Sequence, residues 1–363
     1  MSAGLDGPVQ RIVVLRALML GDMLCALPAL RPIRRAWPRA HIAVLGLPAS
    51  RELLSRMECV DQWLAFPGWP GLPEHPVDVR ALPGFLRAMQ DCRWDLAIQL
   101  HGSGQLTNPL VQLLGARATA GFYGPGALLP PADAARYCPW PEQGHETQRL
   151  LALCRHLGLP FEGDDLEFPL RLEDDAALRT AWPGWEGCAG YACVHAGAQL
   201  PSRRWPVARF AAVAEALHDM GLAVVLTGTS AERALADELA ARLAARSVPS
   251  IDLVGRTTLW SLGALLRRAR LLVCNDTGVS HIAAALRVPS VVLSCGSDAA
   301  RWAPPDRALH RVLAMPAPCR PCAHAVCPTK HECADALTVD MVLSAVHGQL
   351  STKEISCPAA CAS

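Results

Sequence analysis

The sequence predicts an α/β fold made of two doubly wound parallel sheets that face each other across a cleft. Short apolar runs of strand length alternate with amphipathic runs of helix length, and this alternation starts again in the second half of the chain. Such alternation is typical of parallel strands joined by crossover helices. A length of 363 residues suits two domains. We expect a first domain over residues 1–175, a second over residues 176–348, and a disordered tail over residues 349–363.

In the first half, short apolar runs predict strands over residues 11–16, 41–46 and 94–100. Apolar residues at helical spacing predict a helix over residues 22–37. Pro28 and Pro32 each remove a backbone donor, so we expect that helix to start late or to kink. The segment rich in proline, glycine and tryptophan over residues 66–76 is predicted to be a loop.

The second half contains a new set of alternating elements. Charged, glycine, proline and tryptophan residues interrupt the pattern over residues 162–190, which predicts the hinge. Strands are predicted over residues 191–197, 223–228, 271–274 and 290–296, and helices over residues 207–220, 231–245 and 262–269.

Composition excludes several classes of protein. Hydrophobic residues make up 51% and charged residues 18%, which argues against disorder. The net charge of +1 gives no support to nucleic-acid binding. We see neither a secretory signal nor 18 uninterrupted apolar residues. The 15 cysteines are too few for a disulfide scaffold, so reduced thiols in the cytoplasm are expected.

The most informative segment is residues 271–286, which predicts a buried strand, a tight turn and a helix start. Asp276, Thr277 and Gly278 form the turn, and His281 follows in the helix. A helix that starts at such a turn directs backbone N–H groups and a positive dipole at an anion, most often phosphate. The alternative is an ordinary turn in which Asp276 or Thr277 caps the helix.

Three other loops are expected at the same edge of the second sheet. They bring basic, acidic and hydroxyl side chains that suit a nucleotide diphosphate, because arginine balances phosphate charge and a carboxylate accepts ribose hydroxyls. The side chains concerned are Arg203, Arg204, Glu232, Thr257 and Thr258. Neither G-x-x-x-x-G-K-[S/T] nor G-x-G-x-x-G after the first strand is present, which disfavours a P-loop kinase and a dehydrogenase.

In the first half, Asp22 comes at the start of a predicted helix, directly after the first strand and Gly21. It either caps that helix or stands at the cleft as a carboxylate that takes a proton from an acceptor hydroxyl. Arg31, Arg34 and Arg35 follow at helical spacing. They form either a solvated helix face or a site for an anionic acceptor.

Four late cysteines, Cys319, Cys322, Cys327 and Cys333, have the spacing C-x2-C-x4-C-x5-C. Four thiolates within so short a segment could hold a structural zinc or iron ion. The alternatives are a loop of reduced thiols or one adventitious disulfide.

In their order and spacing, several blocks together resemble glycosyltransferase family 9, the ADP-heptose:lipopolysaccharide heptosyltransferases. They are residues 11–38, with a G-D-x-L turn; residues 195–206, with a glycine turn before a basic residue and W-P; and residues 255–259, 276–281, 289–296 and 301–304. The late cysteine run also resembles one seen in many members.

The resemblance implies a GT-B architecture and an inverting transfer that needs no metal or other cofactor for catalysis. Asp22 resembles the general base. Arg203 stands where the family usually has lysine, so its contact with the diphosphate is expected to differ in geometry. Glu232 resembles the acid that binds ribose. The turn formed by Asp276, Thr277, Gly278 and His281 resembles the sugar- and phosphate-binding turn, and the hydroxyls of Thr257 and Thr258 resemble the loop near the base.

The function so implied is transfer of heptose from ADP-heptose to a lipid A–core acceptor, by an enzyme peripheral to the inner face of the inner membrane. Arg31, Arg34 and Arg35 would receive the acceptor or the membrane surface. Open alternatives are the same fold acting on a protein or another glycan, a non-catalytic nucleotide-sugar binder, and an epimerase that needs no acceptor.

Overall fold

The chain is described here from a computed structural model that covers residues 7–161, 163–188, 190–322 and 324–355. It divides into two compact units, Met1–Pro169 (unit 1) and Leu170–Ser363 (unit 2). The division falls six residues before the predicted boundary at residue 175, and the predicted hinge contains a helix, Leu172–Ala181. Among the described residues, no helix combines the length and the apolar character needed to cross a membrane.

Unit 1 contains one parallel sheet flanked by helices. Its described strands are β1 (Arg11–Leu15), β2 (His41–Gly46), β3 (Gln62–Ala65), β4 (Leu96–Gln99), β5 (Ala118–Tyr123) and β6 (Tyr137–Pro139). Its described helices are α1 (Leu20–Ala36), α2 (Arg51–Leu54), α3 (Leu82–Asp91), α4 (Thr107–Leu113) and α5 (Glu146–His156). The sheet order is β3-β2-β1-β4-β5-β6.

Unit 2 has a second parallel sheet. Its described strands are β7 (Tyr191–His195), β8 (Ala223–Leu226), β9 (Ser250–Asp252), β10 (Leu271–Asn275), β11 (Ser290–Leu293) and β12 (His310–Leu313). Its described helices are α6 (Leu172–Ala181), α7 (Val207–Asp219), α8 (Arg233–Ala244), α9 (Leu259–Arg268), α10 (Gly278–Ala285), α11 (Ala299–Trp302), α12 (Glu332–Asp335) and α13 (Val339–Ile355). The sheet order is β12-β11-β10-β7-β8-β9.

The two sheets have the same topology, since each unit places its first and fourth strands side by side at the centre. In unit 1, β1 pairs in parallel with both β2 and β4, with Val13 opposite Ala43 and Ala97. In unit 2, β7 pairs with both β8 and β10. The chain reverses its winding direction at these central pairs, and ligands of doubly wound folds bind beyond the strand ends there.

Each unit has its own apolar core. The central strands are almost completely buried on both faces, which is why their sequences are continuous Val, Ile and Leu runs rather than alternating ones. In unit 1, Leu15 and Trp94 lie in the core, and in unit 2 Phe210 and Val273 do so. The strands are therefore rigid supports for the loops at their carboxyl ends.

Two sequence expectations about helix ends differ from the structure. Of the two effects expected from the prolines, a late start is not found, because α1 begins at Leu20 and includes both Pro28 and Pro32, which are buried. Residues 349–355, placed in the predicted tail, belong to α13. The remainder of that tail, including Cys357 and Cys361, lies outside the described residues.

Candidate functional site

Asp22 lies in the first turn of α1, just beyond the carboxyl end of β1, and is half-buried. The residue at the capping position is Met19, whose side chain makes no capping hydrogen bond. The alternative that Asp22 is the helix cap is therefore wrong. A carboxylate in the first turn is stabilised by the positive end of the helix dipole.

A buried arginine fixes the backbone beside Asp22. Arg16 is 1% exposed, and its Nη2 donates to the carbonyl oxygen of Asp22 at 3.1 Å and to Glu146 Oε1 at 3.0 Å. Its Nη1 donates to the carbonyl oxygen of Leu100 at 2.7 Å. The Glu146 carboxylate is completely buried and also faces Arg149 at 3.6 Å. Arg16 thus joins the ends of β1 and β4 to the start of α1.

His101 follows β4 at the same edge, and sequence reasoning missed it. The backbone N–H of Ala17 donates to His101 Nδ1 at 3.2 Å, so the ring proton of the neutral form lies on Nε2. That nitrogen lies 3.2 Å from Glu74 Oε1, within the loop predicted over residues 66–76. Burial alone would raise the pKa of Glu74, but the hydrogen bond and charge of His101 lower it overall. The available signal was a histidine directly after a buried strand.

Two of the three arginines predicted for the acceptor already have acidic partners. Arg31 pairs with Glu167, and Arg34 pairs with Asp61. The guanidinium of Arg34 also donates to the carbonyl oxygen of Ala40 at 2.7 Å. Arg35 is exposed on the same helix. These pairs neutralise part of the predicted basic face, while all three residues remain candidates for an acceptor site.

In unit 2, four loops follow the adjacent strands β10, β7, β8 and β9, so they lie at one edge of the sheet as predicted. The loop after β10 starts α10. Thr277 occupies the capping position in extended backbone, but its side chain makes no capping hydrogen bond, and Gly278 is the first helical residue. This helix start can therefore present its N–H groups to an anion. His281 lies one turn further on and is 4% exposed.

The carboxylate of Asp276 points to another loop rather than to the helix. The hydroxyl of Ser297, which follows β11, donates to Asp276 Oδ2. Ser297 is 3% exposed, whereas Asp276 is half-buried. The alternative that Asp276 caps α10 is therefore wrong.

Asn275, the last residue of β10, binds both ends of the loop that follows the neighbouring strand β7. Its Oδ1 accepts from the backbone N–H of Trp205 at 2.9 Å, and its Nδ2 donates to the carbonyl oxygen of Ala196 at 2.8 Å. The indole N–H of Trp205 donates to the carbonyl oxygen of Leu337 at 2.9 Å. These bonds fix both ends of the loop that carries Arg203 and Arg204. No local sequence pattern indicates this role of Asn275.

Arg203 and Arg204 are both half-buried beside this loop. Arg203 Nη2 donates to the carbonyl oxygen of Cys322 at 2.6 Å, and Arg204 Nε donates to the carbonyl oxygen of Ala198 at 2.9 Å. Each guanidinium has further donors beyond these bonds, so both can still contact an anion.

Glu232 lies in a recess beside the ends of β7 and β8. Its Oε2 accepts from the backbone N–H and the hydroxyl of Thr229 at 2.7 and 2.9 Å. Its Oε1 lies 3.8 Å from His195 Nε2. Burial lowers the pKa of His195 despite the nearby carboxylate. A Cβ atom on Gly197 would lie 1.8 Å from Glu232 Oε1, so only glycine leaves room for this acid.

Thr258 caps α9, because its Oγ1 accepts from the backbone N–H of Ser261 at 3.1 Å while Ser261 Oγ accepts from the Thr258 N–H. Its side chain is thus engaged in fold stability. Thr257 precedes it and is half-buried.

Of the late cysteines, Cys322 and Cys333 are buried, and Cys319 and Cys327 are half-buried. Cys327 Sγ accepts from the His331 N–H at 3.1 Å, and the hydroxyl of Thr329 lowers the pKa of this thiol. Burial raises the pKa of Cys333. In the described part of the chain, no three or more His, Cys, Asp or Glu side chains are arranged to hold a metal ion. The arrangement described here therefore does not fit the predicted metal site.

Two units of identical doubly wound strand order define the GT-B class of glycosyltransferase fold. A crystal structure of a glycosyl transferase family 9 protein from Veillonella parvula DSM 2008 is 20% identical, has a TM-score of 0.79, and covers 96% of this chain and 99% of its own. The structure of E. coli ADP-heptose lps heptosyltransferase II is 22% identical, has a TM-score of 0.69, and covers 95% and 99%. Both share the fold.

The family model of glycosyltransferase family 9 (heptosyltransferase) matches residues 84–332, and the chain belongs to this family. Lipopolysaccharide heptosyltransferase 2 of Escherichia coli K12 is 28% identical over 326 residues, which is 84% of this chain and 88% of that protein. The resemblance inferred from sequence blocks is confirmed. The protein is a glycosyltransferase of the heptosyltransferase family of lipopolysaccharide core biosynthesis.

Proposed function

We propose that the protein is an inverting glycosyltransferase that moves heptose from ADP-heptose to an inner-core lipopolysaccharide acceptor. The observation that carries the proposal is the position of the Asp22 carboxylate, which lies in the first turn of α1 beyond the central strand pair of unit 1. Family membership supports it, and so does the rim of unit 2, by which we mean the four loops that follow β7, β8, β9 and β10.

The rim of unit 2 supplies groups suited to the donor. The start of α10, with Thr277 and Gly278, would bind phosphate oxygens, and Arg203 and Arg204 would balance their charge. Glu232 would accept hydrogen bonds from the ribose hydroxyls, with Thr257 and Thr258 near the base and His281 behind the phosphates. Charge grows on the leaving diphosphate during transfer, and fixed donors aimed at it would stabilise the transition state.

Asp22 would take the proton of the acceptor hydroxyl as that oxygen attacks the anomeric carbon. Attack from the face opposite the diphosphate inverts the configuration. The anchored backbone of Asp22 holds this base in place, because Arg16 binds its carbonyl oxygen. Side chains thus supply both the base and the stabilising charges, so this mechanism needs no cofactor.

We place the acceptor and the inner membrane surface at the face of α1 that carries Arg31, Arg34 and Arg35. Phosphate groups of a lipid A–core acceptor would compete with Glu167 and Asp61 for the first two of these arginines. The enzyme would then act at the cytoplasmic face of the inner membrane, bound peripherally.

The decisive experiment compares wild type with Asp22→Asn in a transfer assay with ADP-heptose and defined truncated core acceptors. The substitution removes the base but keeps the shape of the side chain, so we expect the transfer rate to fall about 10²- to 10⁴-fold. ADP affinity should be unchanged within about twofold. Asp91→Asn, on the exposed end of α3 in the same unit, is the matched control and should keep full activity.

An active Asp22→Asn enzyme would remove the assignment of the base. Wild type that binds ADP-heptose but modifies only a protein or another glycan would show the same chemistry with a different acceptor. Binding without any transfer would define a non-catalytic nucleotide-sugar binder. Mass spectrometry of the products separates these outcomes.

A further inference from the structure

The segment over residues 317–333 carries the late cysteines and also contacts the loop after β11. We call it the cysteine segment. Arg320 Nη2 donates to the carbonyl oxygen of Ser294 at 2.7 Å and to its Oγ at 2.5 Å. The backbone N–H of Cys322 donates to the carbonyl oxygen of Gly296 at 2.6 Å. The cysteine segment therefore holds this loop at two adjacent points.

From Ser294, a chain of hydroxyl groups leads to Asp276. Ser294 Oγ and Ser297 Oγ are 2.7 Å apart, and Ser297 Oγ donates to Asp276 Oδ2. The guanidinium can only donate, and the ionised carboxylate can only accept. The direction of every bond is thus fixed: Arg320 donates to Ser294, Ser294 to Ser297, and Ser297 to Asp276.

The two serines in the middle of this chain are buried, with Ser294 0% and Ser297 3% exposed. Because they are shielded from water, each hydroxyl has few other partners, and a charged donor at one end polarises the whole chain. Arg320 therefore acts on a carboxylate that it does not touch.

Asp276 immediately precedes the α10 start that would bind the diphosphate. A carboxylate repels phosphate oxygens, so the groups it suits at that position are hydroxyl donors. In a nucleotide sugar, the hydroxyls closest to the terminal phosphate belong to the transferred sugar.

We propose that Arg320 is a positioning residue which, through Ser294 and Ser297, orients the Asp276 carboxylate to accept hydrogen bonds from the hydroxyls of the transferred sugar. This inference rests on the proposed function. The cysteine segment would then support the part of the site that binds the transferred sugar.

The test compares affinity for ADP with affinity for ADP-heptose by titration calorimetry, because ADP has no sugar to be positioned. In Ser297→Ala and Arg320→Gln, affinity for ADP-heptose should fall about tenfold or more, while affinity for ADP stays within about threefold. Arg320→Lys keeps one charged donor and should recover part of the loss. Arg311→Gln, an exposed arginine on β12, and Ser351→Ala, an exposed serine on α13, are the controls and should behave as wild type.

Arg320 also donates to the carbonyl oxygen of Met315 at 3.1 Å, so its removal could unfold the segment. Ser297→Ala leaves that bond intact and keeps the test decisive. Equal losses for ADP and ADP-heptose, or no loss in Ser297→Ala, would overturn the inference. Wild type that binds ADP but not ADP-heptose would instead contradict the proposed function, and the inference with it.

Discussion

At the scale of single residues, the space for Glu232 depends on the absence of a side chain at Gly197. The carboxylate lies where a Cβ of residue 197 would stand. The backbone of Gly197 is in turn held by Asn275 Nδ2 at 3.3 Å, so the glycine cannot move away easily. We infer that the close approach of Gly197 fixes the position from which the Glu232 carboxylate would bind the ribose hydroxyls.

In Gly197→Ala, we therefore expect the Glu232 carboxylate to be displaced. The clashing atoms are the far end of a flexible side chain, which can turn away and lose its hydrogen bonds to Thr229, so the unfolding free energy should fall by about 1 kcal/mol. ADP affinity should fall at least tenfold. Gly187→Ala is the matched control, because a Cβ there would meet no heavy atom within 4 Å. Thermal unfolding and ADP titration measure the two effects.

The double variant Gly197→Ala, Glu232→Ala tests the role of Glu232 itself. Its stability should match that of Gly197→Ala, because the hydrogen bonds of Glu232 to Thr229 are lost in both variants, and ADP affinity should stay low. Full ADP affinity in the double variant would show that Glu232 does not bind the nucleotide.

At the scale of secondary-structure elements, the start of α1 depends on a buried charge pair. Arg16 comes directly after β1, and Glu146 is the first residue of α5, a helix that packs against α1. Both side chains are almost completely buried, so each charge needs the other.

Removing one partner of a buried pair typically costs about 3–5 kcal/mol because the other charge is left uncompensated. We expect Glu146→Gln to lower the unfolding free energy by an amount in this range and to reduce transfer activity, since Arg16 also holds the backbone of Asp22. Denaturant unfolding measures the first effect.

The control is Arg242→Met, which breaks an exposed ion pair with Glu238 one turn away on α8. Such pairs contribute about 1 kcal/mol at most, so this variant should be close to wild type. Similar losses of unfolding free energy in both variants would show that the buried Arg16–Glu146 pair stabilises the fold no more than an exposed ion pair does.

The elements themselves were largely predictable, because continuous apolar runs such as Leu271–Asn275 can only be buried strands. The start of α1 was not. Apolar spacing identifies the face of a helix that packs, but its first residue depends on the backbone of Met19, which no side-chain pattern encodes. Pro28 and Pro32 lie within a buried helix face, where packing outweighs their missing donors.

At the scale of the whole molecule, each unit has its own sheet and its own core. The stability of unit 2 depends on pH through a buried histidine. His310, the first residue of β12, is 2% exposed, and its Nδ1 shares a hydrogen bond of 2.8 Å with the Ser290 hydroxyl. Burial lowers the pKa of His310 from 6.5 to about 4.

The sign of the pH effect follows from this shift. Between pH 6.5 and about 4 the unfolded chain binds a proton at His310 that the folded chain does not, so the unfolding free energy falls as the pH falls. At about 1.4 kcal/mol per tenfold change in proton affinity, the loss is on the order of 3 kcal/mol. His310→Asn, whose amide can donate to or accept from Ser290, should unfold with a smaller dependence on pH in this window.

Denaturant unfolding at pH 7 and pH 4.5 measures that dependence, with His347→Gln, an exposed histidine on α13, as the control. An unchanged pH dependence in His310→Asn would contradict the assignment.

The place of a candidate residue in the fold was predictable where it directly follows a buried strand, as with Asp22 and the turn after β10. The supporting residues were not. Ser297, Asn275 and Arg320 act through contacts between segments distant in sequence, and a serine or asparagine in a loop gives no local sign of its partner.

Chemical labelling of the native protein would benefit from the uneven state of its thiols. Burial raises the pKa of Cys25, Cys193 and Cys274, which keeps them in the unreactive protonated form. Cys327 has a lowered pKa and a half-buried position, so among the cysteines that the structure describes, a mild alkylating reagent near neutral pH would attach a fluorophore there first. The native protein thus has an attachment site for a reporter dye, without any engineered cysteine, on the same segment that contacts Arg203.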